Sequence, residues 1–294
     1  MERASSPESL ADYISQNSPL ITAHRGFAEV APENTMSAFE AAFLAGADAC
    51  EFDVHMTSDG VLVVIHDDTV DRTTDGTGSI NELTYEYLST LDAGSWKDPK
   101  FAGEKIPTLH QTLTYFQENN MVAVLEIKVA DIVDEVLEML FDTQMDKRTV
   151  IISFAESAIT KILNENPDIP ALLLIYDNAY MTGSTQDKVD SISQKADEIG
   201  TKYIGPFSFQ LEHLDPESFP EVVHKLENNI DPGELPLALD AATIEALHDR
   251  GLIIDAWTVD SEENIRDLIT YNVDFLTTNY LERAIRIKHE VQSK

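Results

Sequence analysis

Basic residues are scarce in this chain of 294 residues, in which 20 Lys and Arg stand against 53 Asp and Glu. The formal net charge of −33 provides no positive surface of the kind that binds phosphate backbones or anionic lipids. Neither a nucleic acid nor a membrane is therefore expected as a partner. No window reaches the roughly 18 consecutive apolar residues of a membrane-spanning helix.

Cysteine is nearly absent, since Cys50 is the only one, and this excludes an intrachain disulfide. The N-terminal stretch MERASSPESLADYISQNSPL has no apolar run after a basic segment. It does not have the form of a secretory signal, and a cytoplasmic location is expected. The 43% hydrophobic content is that of an ordinary globular protein. Nothing in the sequence predicts the oligomeric state.

The chain also lacks a Gly/Ser-rich linker, so we expect one domain over residues 1–294. Short runs rich in Val, Ile and Leu alternate with helix-like stretches, a pattern typical of βα units around a parallel sheet. Eight strands, the number of a (β/α)8 TIM barrel, are predicted, although a doubly wound open sheet would give a similar series. They are Leu20–His24, Ala49–Met56, Met121–Lys128, Thr149–Phe154, Ala171–Tyr176, Lys202–Gly205, Leu252–Val259 and Asp274–Thr277. Helices are expected at Asn34–Gly46, with Asn34 as its N-cap, and at Ala130–Phe141 and Ala241–Arg250.

Two stretches depart from this alternation. Val61–His66 is expected to form a hairpin with the second strand, and residues 67–107 follow as a small insertion. Residues 207–238 form a long excursion between strands six and seven. Long loops are often functional, so this one either packs on the barrel wall or acts as a lid that shapes alcohol preference.

Polar residues share one face of two predicted strands. Glu51, Asp53 and His55 alternate with apolar residues on the second strand, and Glu126 and Lys128 do so at the end of the third. Carboxylates side by side repel each other unless a cation lies between them, and oxygen ligands suit a hard divalent ion. In a barrel this edge is the catalytic one. The alternatives are a solvated edge strand and a surface Glu–Lys pair.

Two histidines also stand at the ends of predicted strands, His24 in His24-Arg25-Gly26 and His66 before Asp67. Such a pair can divide the general base and general acid roles of phosphodiester cleavage, and Arg25 suits a phosphate. An enolase-type proton abstraction with Lys128 as the base would use similar parts but would leave the histidines without a role. We interpret the other histidines as surface residues: His110, His213, His224, His248 and His289.

Taken in order, these motifs closely resemble the glycerophosphodiester phosphodiesterase family, most densely between residues 24 and 128. The last strand departs from the family pattern Thr-Asp-Xaa-Pro, since Thr278, Asn279 and Tyr280 stand there. The matching segments are His24-Arg25-Gly26, Pro32-Glu33-Asn34-Thr35, Glu51-Phe52-Asp53-Val54, Asp59-Gly60, Val63-Val64, His66-Asp67, Arg72-Thr73, Gly76-Thr77-Gly78, Ile106-Pro107-Thr108-Leu109, Leu125-Glu126-Ile127-Lys128 and Trp257-Thr258-Val259.

The resemblance implies a TIM barrel with a small insertion after the second strand. It implies hydrolysis of glycerophosphodiesters, as small-molecule substrates, to glycerol 3-phosphate and an alcohol, with one divalent cation, Mg²⁺ or Ca²⁺. The roles that it implies are metal ligation by Glu51, Asp53 and Glu126, acid–base catalysis by His24 and His66, phosphate binding by Arg25 and Lys128, and a wall near the glycerol formed by Trp257. His55 is expected beside the metal site and not as a ligand.

Two other functions stay open at this stage. A phospholipase D-like or phosphoinositide-type lipid phosphodiesterase would keep the barrel and change the substrate. A catalytically silent binding barrel would keep only the fold, but the candidate catalytic residues are all in place.

Overall fold

The computed structural model describes residues 10–176, 180, 183–209 and 237–293. Within them, eight parallel strands close into a barrel, since the first strand pairs with both the second and the last. A further strand, β3, pairs antiparallel with β2. The fold is therefore a (β/α)8 TIM barrel, as predicted. The strands are β1 Leu20–Ala23, β2 Ala49–Met56, β3 Leu62–Val64, β4 Val122–Ile127, β5 Thr149–Ser153, β6 Ala171–Ile175, β7 Tyr203–Pro206, β8 Ile253–Ala256 and β9 Phe275–Thr278.

Helices alternate with these strands and cover the barrel. Among the described residues the α-helices are α1 Leu10–Asn17, α2 Met36–Ala45, α3 Tyr85–Leu88, α4 Leu109–Asn119, α5 Val133–Asp142, α6 Glu156–Glu165, α7 Thr185–Ile199, α8 Ala241–Asp249, α9 Glu262–Thr270 and α10 Leu281–Gln292. Short 3₁₀ turns lie at Ile80–Glu82, Pro99–Phe101 and Ala130–Ile132.

The barrel interior is apolar at its amino-terminal end and polar at its carboxyl-terminal end. Leu20, Ala49, Val122, Tyr203 and Phe275 belong to one buried cluster, which α1 closes from below. Strand residues two apart face the same side, so the next inward positions lie nearer the carboxyl ends of the strands. Several of these positions carry polar groups: Thr22, Glu51, Asp255 and Thr277. The sequence thus places a polar floor beneath the active-site face.

The outer core lies between the strands and the helices, and an aromatic triad anchors it beside β2. Phe39 of α2, Phe52 of β2 and Phe116 of α4 pack edge to face, with ring centroids 5.3–5.8 Å apart. All three side chains are fully buried. They fix the two helices that flank the strand carrying Glu51 and Asp53.

Phe116→Ala is expected to lower the free energy of unfolding by about 3–5 kcal/mol, because it removes a buried ring and leaves a cavity. Phe141→Ala, on α5, serves as the matched control because that ring is 49% exposed. Denaturant midpoints of the two variants, compared with the wild type, provide the measurement. Equal midpoints for both variants would contradict the role given to the triad.

The insertion after β3 has a small core of its own. Val70, Ile80, Leu88, Leu91 and Ile106 form one buried cluster with the outer face of β3. Lys105 Nζ donates to the carbonyl oxygens of Thr90 and Leu91 at 2.9 Å. The segment is therefore packed onto the barrel rim.

The predicted starts of two helices differ from the structure. The helix predicted from Ala130 begins as a 3₁₀ turn, and α5 starts at Val133. Thr35, not Asn34, is the N-cap of α2, and its hydroxyl accepts from the backbone N–H of Ala38. Asn34 has φ +56°, in the left-handed region that Asn tolerates, and its amide turns toward β2 instead. The predicted end of the helix at Gly46 is confirmed, since Gly46 is its left-handed C-cap. Most of the predicted excursion at 207–238 lies outside the described residues.

Candidate active site

Three carboxylates converge where β2 and β4 run side by side. Glu51 and Asp53 share the inward face of β2, and Asp53 is the register partner of Glu126 on β4. Each side chain is buried and offers an oxygen within 4.8 Å of the other two. This is the cluster that alternation on the two strands predicts.

The pKa values of these three carboxylates are shifted in different directions. Burial, reinforced by the charge of Asp53, raises the pKa of Glu51 well above its usual value. Burial also raises the pKa of Glu126, although Lys128 opposes it. Burial alone would raise the pKa of Asp53 too, but the nearby cations, Lys128 first, hold it below its usual range. A set of buried oxygen donors that repel one another fits a hard divalent cation.

Lys128 lies against this cluster. Its Nζ is 2.9 Å from Glu126 Oε1 and 3.4 Å from Asp53 Oδ1. Burial would lower the pKa of Lys128, but these two carboxylates raise it above its usual value. A lysine that stays protonated binds anions well and abstracts protons poorly, which disfavours the enolase-type alternative.

A chain of ion pairs links the two histidine segments. Arg25 Nη1 lies 3.0 Å from Glu33, and Arg72 Nη2 lies 2.8 Å from the same carboxylate. Arg72 Nε also lies 2.8 Å from Asp67, whose other oxygen lies 2.7 Å from His66 Nδ1. Despite its burial, which alone would raise it, the pKa of Glu33 falls to about 2 beside the two arginines. Arg25, with a side chain only 2% exposed, is thereby fixed at the cavity wall.

His24 is held by a polar contact that sequence analysis missed. Its Nδ1 lies 2.8 Å from Asn279 Oδ1. Asn279 is oriented in turn by Asp260, which accepts from its Nδ2 and from its backbone N–H at 2.9 Å. An amide oxygen only accepts, so His24 Nδ1 carries the proton and Nε2 is left as an acceptor. Burial, together with the charge of Arg25, lowers the pKa of His24 to about 3, so its ring is neutral near pH 7.

Asn279→Leu is expected to lower kcat roughly fivefold to a hundredfold, because an unsatisfied buried donor costs about 1–3 kcal/mol. The loss of the amide oxygen frees His24 to adopt the other tautomer. Activity assays, together with ¹⁵N shifts of the His24 ring nitrogens, measure both effects. Asn264→Leu, a change on the outer helix α9, is the control, and an unchanged tautomer and kcat in Asn279→Leu would contradict this account.

The loop after β1 brings these groups together. Gly26 has φ +79°, and a Cβ there would lie 2.7 Å from Ala38 Cβ, so glycine is required both for the turn and for the close approach of α2. Asn34 follows on this loop, and its Nδ2 donates to Asp53 Oδ2 at 2.7 Å. The Pro-Glu-Asn-Thr motif thus supplies a partner for Arg25, a donor to Asp53 and a helix cap.

None of the other histidines that the structure describes belongs to the carboxylate cluster. His55 is outside the carboxylate cluster, and its Nε2 lies 3.1 Å from the carbonyl oxygen of His66. His110 and His289 are exposed, as predicted. His248 differs from the prediction, since it is half-buried and its Nε2 lies 2.9 Å from Asp274 Oδ2. His213 and His224 lie outside the described residues.

One cavity, open to solvent, joins the predicted groups. Its charged side contains both histidines, Arg25, Lys128 and the two glutamates. Its other side is aromatic, and the ring of Trp257 lies 5.5–5.6 Å from those of Phe154, Tyr176 and Phe207. The indole is fixed because Trp257 Nε1 donates to the Gly205 carbonyl oxygen at 2.9 Å. Of the predicted residues only Asp53 does not line the cavity itself.

Carboxylates, cations and two histidines gathered at the carboxyl ends of barrel strands define an α/β-barrel enzyme of phosphodiester hydrolysis. The model of the glycerophosphoryl diester phosphodiesterase family matches residues 24–283. The chain therefore belongs to this family. Among the described residues, no helix is long and apolar enough to cross a bilayer.

Individual relatives agree with the family match. The Bacillus subtilis protein YhdW is 32% identical, over 92% of this chain and 98% of its own length. The glycerophosphodiester phosphodiesterase of Caldanaerobacter subterraneus is 30% identical, over 91% and 97% of the two chains. The crystal structure of an Agrobacterium tumefaciens glycerophosphodiester phosphodiesterase superposes with a TM-score of 0.69 at 27% identity, covering 91% of this chain and 99% of that one. An Oleispira antarctica phosphodiesterase in complex with sn-glycerol-3-phosphate shares the fold, with a TM-score of 0.71 at 22% identity over 93% and 98% of the two chains.

Proposed function

We propose that this enzyme hydrolyses glycerophosphodiesters to glycerol 3-phosphate and an alcohol, with one divalent cation, Mg²⁺ or Ca²⁺, and a histidine pair. The observation that carries the proposal is the cluster of Glu51, Asp53 and Glu126, whose oxygens lie within 4.8 Å of one another, in a cavity that also contains His24 and His66.

The three carboxylates would hold the cation through oxygen atoms alone, a ligand set that favours Mg²⁺ or Ca²⁺ over softer metals. When bound, the cation supplies positive charge that stabilises the phosphate oxygens during displacement. Lys128 and Arg25 add fixed positive charge at the same wall of the cavity. They bind and orient the phosphate group, since both remain protonated beside their carboxylate partners.

His24 acts as the general base. Its Nδ1–H is bound to Asn279, so Nε2 is available to take a proton from the attacking hydroxyl. That hydroxyl belongs to water or to the C2 position of the substrate, in which case a cyclic phosphate forms and is then hydrolysed. The attacking oxygen bonds to phosphorus as the bond from phosphorus to the alcohol oxygen breaks.

His66 acts as the general acid. Asp67 Oδ1 lies 2.7 Å from its Nδ1, and this contact orients the ring toward the cavity. His66 then gives its proton to the departing alcohol oxygen. Trp257 forms the apolar wall against which the carbon chain of the glycerol packs.

A substrate panel tests this function. Purified protein with Mg²⁺ or Ca²⁺ is incubated separately with sn-glycero-3-phosphocholine, sn-glycero-3-phosphoglycerol and lysophosphatidylcholine micelles, and products are identified by NMR. Glycerol 3-phosphate from the first two substrates is expected. Release of choline from the lipid alone would favour a lipid phosphodiesterase, and no product from any substrate would favour a silent barrel.

A further inference from the structure

Asp255 is a buried carboxyl group in the cavity to which the mechanism above gives no role. It lies on β8 two residues before Trp257, on the same inward face, and is 2% exposed. Its Oδ1 accepts from Thr277 Oγ1 at 3.0 Å. Within the described part of the chain, no cation forms an ion pair with it.

A buried carboxyl group needs hydrogen-bond partners. Thr277 occupies one acceptor site, whereas a carboxyl group offers about four. Burial raises the pKa of Asp255 to about 7, so near neutral pH a substantial fraction carries a proton and can donate as well as accept. A group of this kind matches an alcohol hydroxyl, which also donates and accepts.

The barrel borders Asp255 below and on one side. Below it the barrel is filled by the apolar cluster that includes Tyr203 and Phe275. Beside it Gly205 presents bare backbone, and a Cβ there would lie 2.9 Å from side-chain carbons of Leu172 and Leu174. The Asp255 carboxyl group can therefore be approached from the open side of the cavity.

We propose that Asp255 is a specificity-determining residue that binds the terminal hydroxyl of the glycerol arm of the substrate. The inference rests on the proposed function, because it takes the phosphate group to lie between Lys128 and the two histidines. The C2 hydroxyl of glycerol then stays near the phosphate. The terminal hydroxyl lies one carbon further from it and reaches the floor between Asp255 and Trp257.

Two substrates that differ by this hydroxyl provide the test. One is sn-glycero-3-phosphocholine, and the other is the phosphocholine ester of propane-1,2-diol, which keeps the secondary hydroxyl and lacks the terminal one. The wild type is expected to prefer the glycerol compound by about tenfold to a hundredfold in kcat/KM, since a site built to hydrogen-bond a hydroxyl rejects the analogue without it.

Variants at the position identify the residue responsible. Asp255→Leu, of similar shape, is expected to reduce the ratio of the two kcat/KM values to less than about threefold. The variant should slow only the glycerol compound, because the lost hydrogen bond is the source of the preference. Asp255→Asn, which still donates and accepts, keeps most of the preference. Asp249→Leu, an exposed change at the end of α8, is the control and leaves both values unchanged.

Three results would overturn the proposal. One is equal hydrolysis of the two substrates by the wild type, a comparison that requires no variant to fold. Another is an Asp255→Leu variant that slows both substrates equally, since this would indicate a purely structural role. The third is a wild type that releases no glycerol 3-phosphate with either cation. That result would also overturn the proposed function, whereas the first two would leave the proposed function intact.

Discussion

Replacement of His24 by alanine is expected to lower kcat by at least about a hundredfold, the low end of what a general acid–base group contributes. The imidazole is buried and bound to Asn279 through Nδ1, so its Nε2 is the atom that would take the proton. His110→Ala on α4 is the matched control, because that ring is exposed. Steady-state kinetics with sn-glycero-3-phosphocholine provide the measurement.

The division of labour between the histidines can be tested with the leaving group. A p-nitrophenyl glycerophosphodiester releases p-nitrophenolate, a stable anion that does not need protonation. The His66→Ala variant should therefore hydrolyse this substrate at close to the wild-type rate. His24→Ala should remain slow on the same compound, because activation of the attacking hydroxyl is still required. Recovery of His24→Ala instead would show that the roles are reversed.

Removal of the divalent cation is expected to lower turnover below about 1% of that of the loaded enzyme. A cation beside the phosphate oxygens stabilises the transition state by several kcal/mol. Added Mg²⁺ or Ca²⁺ should restore activity and also raise the melting temperature, because an ion that binds only the folded state stabilises it. Glu51→Gln should abolish this thermal shift, because it removes a ligand of the cluster. Glu138→Gln, exposed on α5, is the control, and an equal shift in both variants would exclude the cluster as the binding site.

The parts of the site that depend on local patterns could be predicted from the sequence. Glu51 and Asp53 alternate on one strand, and their shared face follows from strand geometry alone. Glu126 joins them because β4 is the neighbour of β2 in a right-handed series of βα units. The hairpin between β2 and β3 could also be predicted, since its turn sequence is specific.

Contacts between distant segments could not be predicted in the same way. Asn279 reaches His24 across 255 positions of sequence, and only closure of the barrel between β1 and β9 brings them together. The Asn34 error has a local cause, because Asn and Thr both cap helices and only the backbone angle at Asn34 decides between them. Glu33 and Arg72 lie in recognised motifs, but their pairing with Arg25 and Asp67 requires the packed insertion.

A paired titration tests directly whether the cation bound by the carboxylate cluster is required for catalysis. Calorimetry of cation binding to the cation-free enzyme is run beside an assay of glycerol 3-phosphate release from sn-glycero-3-phosphocholine at the same free cation concentrations. We expect one ion bound per chain, with binding and product release rising together, and loss of both in Glu51→Gln. Full release of glycerol 3-phosphate by the cation-free enzyme, or by Glu51→Gln, would contradict this expectation.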